Sequence, residues 1–322
     1  MLSSYIARDG RVEVADTIAA LHDADLVWVD LLDPSAEERL AVEQRFGLAV
    51  PSQAEMGEIE PSNRLYEEDG ALFMTATLVA HVETGSPRSA PVTFILGEGQ
   101  LITLRYIDPK SFRTYAGHLH KARLADKRPV GVFTGLLETV VARQADILER
   151  ISLDADQISA HVFRPGEVQQ AKPPAELLKD IGRCGELTSR LREAVVSTIR
   201  LLTWFGHPEN GYQKDPGVRE RIKSLGRDLA SLADFANYQS NKVQFLLDAT
   251  LGRINIEQTN IIKIFSVAAA AFLPPTLIAS IYGMNFEVMP ELGWRFGYPL
   301  ALVAMVLSAV LPLWYFKRRG WL

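Results

Sequence analysis

Cysteine occurs once in the 322 residues, at Cys184. No intrachain disulfide can form, which fits a reducing compartment, and a lone Cys of this kind reads as a packing residue rather than a nucleophile. The opening stretch MLSSYIARDG has no apolar segment behind a basic one, so no secretory leader is expected and the bulk of the chain should stay cytosolic. There is no GxGxxG or Walker-type loop, hence no nucleotide site and no organic cofactor to expect. Lys and Arg are nowhere interleaved with aromatics, and the net charge of -5 argues against a nucleic-acid partner. The His residues are scattered without an HExxH pair. His118 and His120 could share a metal only on a strand and read as surface residues, and no nucleophile, base and orienter set points to an enzyme.

Charge itself is missing from two places. Ile264 to Ile281 and Tyr298 to Phe316 contain no Asp, Glu, Lys or Arg, and each run is close to the minimum for crossing a ~30 Å hydrocarbon core as a helix. A buried pair of core helices is the alternative, although such helices usually carry a polar stripe. Lys317 to Arg319 follow the second run and Lys263 precedes the first, whereas the turn between holds Arg295 against Glu287 and Glu291. The positive-inside rule therefore predicts a multi-pass protein of the plasma membrane with both termini in the cytoplasm and the turn outside. Trp294, Tyr298, Trp314 and Tyr315 sit where interfacial aromatics belong.

Before these runs the chain reads as an α+β domain. LVWVDLL (Leu26 to Leu32) predicts a strand, and DPSAEERLAVEQRF a helix with Asp33 as N-cap and Pro34 at the first position. ALFMTATLVA and PVTFILGEGQLITLRYI predict further strands, the second with GEGQ as a hairpin turn, giving a mixed sheet with helices. Three-and-four spacing predicts helices from about Gly131 to Phe163 and Pro174 to Phe205. The expected organisation is an N-terminal α/β domain (1–130), a helical region (131–216), a stalk helix (217–282) whose end spans the membrane from about 264, an external loop (283–297), a second span (298–316) and a basic tail (317–322).

Proline is absent from Val218 to Leu273, so one helix of roughly 80 Å is expected there; two helices meeting near Gly226 or Gly252 are the alternative. Counting back from Asn285 by threes and fours gives one stripe: Thr276, Leu273, Ala269, Ser266, Ile262, Thr259, Asn255, Gly252 and Asp248. Small, hydroxyl and amide residues alternate with aliphatics along it, the geometry of helices facing one another. Two spans cannot enclose a pore, so a conduit requires several copies about an axis, and a mere oligomerisation seam stays open as the other reading. A ring of Asn285 carboxamides at the outer end suits Mg²⁺, which keeps several waters. Glu287 and Glu291 would form an external acidic collar or be plain solvated turn residues. Pro274 and Pro275 offer a bend, or are simply tolerated near a helix end.

Tyr282-Gly283-Met284-Asn285 followed by FEVMPEL closely resembles the signature of the CorA family of magnesium and cobalt transporters. The resemblance extends through NIEQTNIIKIFSVAAAAFLPPTLIASIYGMN, the ending YFKRRGWL, and WVDLLDP near the start. It implies a funnel-shaped homopentamer in the lipid bilayer that moves Mg²⁺, with Co²⁺ and Ni²⁺ as further ions. It also implies a selectivity filter at Gly283, Met284 and Asn285, and closure by regulatory Mg²⁺ bound at acidic residues between subunits. Asp248 is the one nominee for that site. Where some members place Asn on the stalk this chain has Thr259, which puts an inner hydrated-ion site in question. A zinc transporter of the same superfamily is the runner-up, and a membrane-anchored receptor or enzyme without transport is the reading from another class.

Overall fold

A computed structural model of the chain describes residues 1–8, 11–58, 60–121, 128–164, 172–210, 215–285 and 289–321. The chain forms two compact units, Met1–Leu247 and Asp248–Leu322. The first contains strands β1 (Leu2–Arg8), β2 (Arg11–Ala15) and β3 (Leu26–Leu32), then helices α1 (Ala36–Phe46), α2 (Gln53–Met56) and α3 (Pro61–Arg64). Strands β4 (Leu65–Glu68), β5 (Ala71–Ala80), β6 (Arg88–Leu96) and β7 (Leu101–Arg105) follow, and helices α4 (Lys110–Lys121), α5 (Pro129–Phe163) and α6 (Pro174–Phe205) close the set. Helix α7 (Pro216–Tyr282) begins in this unit, and α8 (Gly297–Arg318) lies in the second. α7 runs without interruption through Gly226 and Gly252.

The strands make one mixed sheet in the order β2-β1-β3-β7-β6-β5-β4, antiparallel except for β3 against β7. LVWVDLL forms β3 as expected. The GEGQ turn joins β6 to β7, with Gly97 N–H donating to Gln100 O at 3.1 Å. One expectation fails at the start of α1. Its N-cap is Ser35, whose side chain accepts from Glu38 N–H while Glu38 accepts from Ser35 N–H. This reciprocal capping box satisfies two orphan donors and displaces Asp33 as the cap. Asp33 instead takes φ 44 and donates its N–H to Arg105 O. His118 and His120 likewise fall in α4 rather than on a strand, and positions two apart on a helix diverge by about 200°.

Because side chains alternate across a strand, the sheet has two buried faces. On one, Val29, Leu31, Phe73, Ile95 and Leu104 pack with Val42 of α1 and Met56 of α2. On the other, Trp28 stacks on Tyr5 at 4.1 Å, and Phe94, Phe133 of α5 and Phe205 of α6 meet edge to face. Within that second layer Asp30 is buried. It accepts from Thr103 Oγ1 at 2.7 Å and from the Arg105 guanidinium, whose Nη2 approaches to 2.7 Å. Arg105 also donates to Asp108 and lies 4.8 Å over the Phe112 ring. Every member has a partner, so the network fixes the one parallel strand pair without leaving a bare charge inside.

The first part of α7 packs its Leu225, Leu229, Ala236, Val243 and Leu246 inward. Arg221 pairs with Glu138 and Lys242 with Asp156, both on α5. Gln239 lies on the same inward stripe, fully buried, and neither of its amide atoms has a hydrogen-bond partner. Cys184 of α6 is buried too, and burial first, then the Asp154 charge, pushes its thiol up to about 11, in keeping with a packing role.

Two outcomes follow from these interiors. Asp30→Ala removes the buried half of Arg105's counter-charge, leaving only the Asp108 side paired, and should destabilise the soluble unit by about 3 kcal/mol, read as a lower urea midpoint for loss of the sheet's circular dichroism. Gln239→Met keeps the shape and removes two unsatisfied polar atoms, so it should stabilise by roughly 1–3 kcal/mol, read as a raised thermal midpoint; a lowered midpoint would show that the amide contributes favourably where it stands.

Candidate functional site

The second unit holds the two charge-free runs, and both lie in helices long and apolar enough to cross a membrane. Almost nothing in their most apolar windows is buried within the chain, whereas a core helix of a soluble protein would be mostly covered. Val267 of α7 and Ala301 of α8 are the buried hydrophobics of these runs. Half-buried Lys263, Ala270, Pro274 and Ile278 continue the Val267 face of α7.

At 100° per residue, the predicted stripe lies on average about 100° around α7 from that covered face. Asp248, Gly252, Asn255, Thr259, Ile262, Ala269, Leu273 and Thr276 are all exposed and Ser266 is half-buried. Leu273 and Ile262, at 67% and 64% exposure, are far more open than aliphatics of a folded core. A third face carries exposed Ile261, Phe265 and Phe272, which the stripe-based reading passed over although their i, i+4 and i+11 spacing was visible. α7 thus has one covered face, one aromatic and aliphatic face, and one face of small and polar groups.

The three hydroxyls on the stripe share one geometry. Thr259 Oγ1 donates to Asn255 O, Ser266 Oγ to Ile262 O and Thr276 Oγ1 to Phe272 O, each at 2.7–2.8 Å. Each hydroxyl has spent its only hydrogen on its own helix. What it presents outward is an oxygen with acceptor capacity alone, the polarity a cation or the hydrogens of a cation's water shell require. Thr259 is shorter than Asn, and it offers an acceptor and no competing donor.

Pro274 and Pro275 lie inside α7 without ending it. Lacking N–H groups, they leave the carbonyls of Ala270 and Ala271 without their usual helical donors. The helix stops at Tyr282, where Gly283 N–H reaches Ala279 O at 2.9 Å and Met284 N–H reaches Ile281 O at 3.3 Å. Asn285 follows, exposed and outside any regular element. Glu287 lies outside the described residues. Glu291 falls in a short 3₁₀ turn, Pro290–Gly293.

These positions form a line rather than a pocket, since Thr259 and Thr276 stand about 25 Å apart along the helix at 1.5 Å per residue. One chain supplies one wall. The stripe can enclose an ion only where another surface faces it.

The profile of the family described as CorA-like Mg2+ transporter protein matches residues 23–318. The chain is 35% identical to the magnesium transport protein CorA of Haemophilus ducreyi and 34% identical to that of Escherichia coli K12, with all of both chains covered in each case. The solved structure of the CorA magnesium transporter from Methanocaldococcus jannaschii has the same fold. It aligns over 100% of this chain and 99% of its own at a TM-score of 0.76 and 19% identity. The chain belongs to the CorA family, whose members are membrane ion transporters and not enzymes.

Because Thr259 and Thr276 are exposed, Ser266 is only half-buried, and each hydroxyl bonds to its own helix, Thr259→Val, Ser266→Ala and Thr276→Val should each leave stability within about 0.5 kcal/mol of wild type. Circular dichroism melts of the purified chain check this, and a larger loss would mean the hydroxyls are structural.

Proposed function

We propose that this chain is the subunit of a homopentameric channel of the plasma membrane that admits Mg²⁺, and with it Co²⁺ and Ni²⁺, down the membrane potential. The observation that carries the reading is the run of three acceptor-only hydroxyls on the stripe of α7, which leads to Asn285 at the helix end and has no facing wall among the described residues of one chain. Copies arranged about an axis supply that wall. Five stripes facing inward then line a passage with Asn255, Thr259, Ile262, Ser266, Ala269, Leu273 and Thr276, and five Gly283-Met284-Asn285 segments form its outer filter.

Mg²⁺ gives up water reluctantly and usually travels with part of its octahedral shell. Carboxamide and hydroxyl oxygens accept hydrogen bonds from that shell without stripping it, and being neutral they release the ion again, as conduction demands. Glu287 and Glu291 gather cations outside the filter. Two charges crossing ~100 mV gain about 4.6 kcal/mol, so inward movement needs no nucleotide. With the turn external, both termini are cytoplasmic, which the basic flank Lys317 to Arg319 supports. Cytosolic Mg²⁺ closes the channel by bridging acidic groups of neighbouring subunits, Asp248 among them; when it is lost, those groups repel and the helices part.

Mg²⁺ influx into proteoliposomes, driven by an inside-negative potential, tests this. Wild type conducts, internal Mg²⁺ in the millimolar range suppresses the flux, and Asn285→Ala lowers it by about tenfold or more through loss of one layer of water-shell contacts. Flux that depends on a proton gradient and carries Zn²⁺ in place of Mg²⁺ would replace magnesium with zinc. Vesicles that stay impermeable would leave α7 and α8 as a membrane anchor.

A further inference from the structure

The last turn of α8 has a geometry that the transport reading does not use. Gly320 adopts φ 71, a conformation that L side chains resist. Its N–H donates to Lys317 O at 3.1 Å and the N–H of Trp321 to Phe316 O at 3.0 Å. These are the two bonds of a Schellman cap, and the apolar contact that accompanies such caps is present as well. Trp321 folds back and stacks on Phe316 with centroids 5.2 Å apart. The chain is thereby turned from the helix axis into a flat aromatic edge.

Onto that edge the sequence places three cations. The Arg318 guanidinium lies 5.6 Å over the Trp314 ring and that of Arg319 lies 5.5 Å over Tyr315. Lys317, Arg318 and Arg319 are all exposed, and none has a carboxylate within ion-pair distance among the described residues. A guanidinium held over a ring retains N–H groups for bonding to a phosphate, at lower entropic cost than a free side chain. Immediately before them lie nineteen residues without charge, Tyr298 to Phe316, the span that belongs in hydrocarbon. Spaced at 100° intervals, the three cations fan over roughly half the helix circumference, so they fit a plane of headgroups better than one enclosed anion.

We propose that this capped end of α8 is a binding surface for anionic phospholipid headgroups, with Arg318 and Arg319 each gripping a phosphate, Lys317 adding charge, and Trp314, Tyr315 and Trp321 seated at the hydrocarbon boundary. The inference rests on the reading of α8 as a membrane span and is independent of what ion, if any, passes along α7. An anionic leaflet draws a basic residue at its surface strongly enough for about a fivefold gain in affinity each.

The full-length protein in a neutral detergent, titrated with phosphatidylglycerol or phosphatidylcholine and followed by native mass spectrometry, provides the test. Wild type should prefer phosphatidylglycerol, and Arg318→Ala with Arg319→Ala should weaken that binding by about 25-fold while leaving phosphatidylcholine unchanged. Arg318→Lys with Arg319→Lys keeps the charge but not the fork and should fall between the two, which holds the test open if the alanine pair folds badly. Equal affinity for both lipids, or phosphatidylglycerol binding indifferent to both Arg pairs, overturns the proposal. So does full displacement by inorganic phosphate at matched concentration, which would assign the surface to a free anion. Lipid preference without Mg²⁺ influx would uphold this surface and overturn the transport reading alone; influx without lipid preference would do the reverse.

Discussion

Inside hydrocarbon a hydrogen-bond donor has nowhere to turn except its own chain, and the second unit is shaped by that constraint. Its backbone is helical through both charge-free runs, where i to i+4 bonding satisfies the main chain except at the carbonyls whose donors the internal prolines remove. The side chains obey the same rule. Ser266 and Thr276, and Thr259 just before the run, each return a hydrogen to a carbonyl four residues back, and Ser308 of α8 does so to Met305 O, three back. Where the helix ends at Gly320, the cap closes the last carbonyls onto N–H groups of the chain itself. The three hydroxyls of α7 are left with acceptor capacity alone along the face they share. A surface built to satisfy donors in lipid is thereby also a surface suited to cations.

The soluble unit solves the opposite problem, holding charge in a core. The sheet is covered on both faces, so Asp30 in the middle of β3 sits beyond the reach of water. It is tolerated because Arg105, one strand away in the parallel pair, meets it with a fork and is itself held by Asp108, Ile107 O and Phe112. Burial disfavours the charged guanidinium, but the bonds to Asp30 and Asp108 outweigh it and raise its pKa. A neutral pair would pack as well. The ionic one adds a directional requirement, that Asp30 stand beside Thr103 and Leu32 beside Arg105, which a one-residue slip would break.

How much of this was legible depended on the range of the forces involved. Period-2 runs of Val, Leu, Phe and Thr marked β3, β5, β6 and β7 because alternation is local. The start of α1 was misplaced although Ser35 and Glu38 stood at the spacing of a capping box; Asp before Pro was the louder signal and the weaker structure. The strand on which His118 and His120 could have shared a metal is instead α4, a helix packed against α5. The stripe on α7 was legible as a pattern, and its hydroxyls' shared donor geometry was not, since that needs coordinates. Gln239 is the extreme case. On sequence it is an ordinary polar residue of an exposed helix, and only the packing of α7 on α5 and α6 makes it buried and unpartnered.

Magnitudes favour neutral oxygens over acids along such a passage. A dication with its water shell intact meets a side-chain oxygen at about 4.5 Å, and at an effective dielectric of about 20 a single carboxylate there attracts it by roughly 7 kcal/mol. That exceeds the ~4.6 kcal/mol a dication gains from ~100 mV, so one acidic residue per ring would already hold the ion more strongly than the potential moves it. A hydrogen bond from the shell to a hydroxyl or amide contributes on the order of 1 kcal/mol net, and several of them can be made and broken in turn. In the sequence Asp248 precedes the first charge-free run and Glu287 follows it, and between Ile264 and Ile281 no carboxylate occurs.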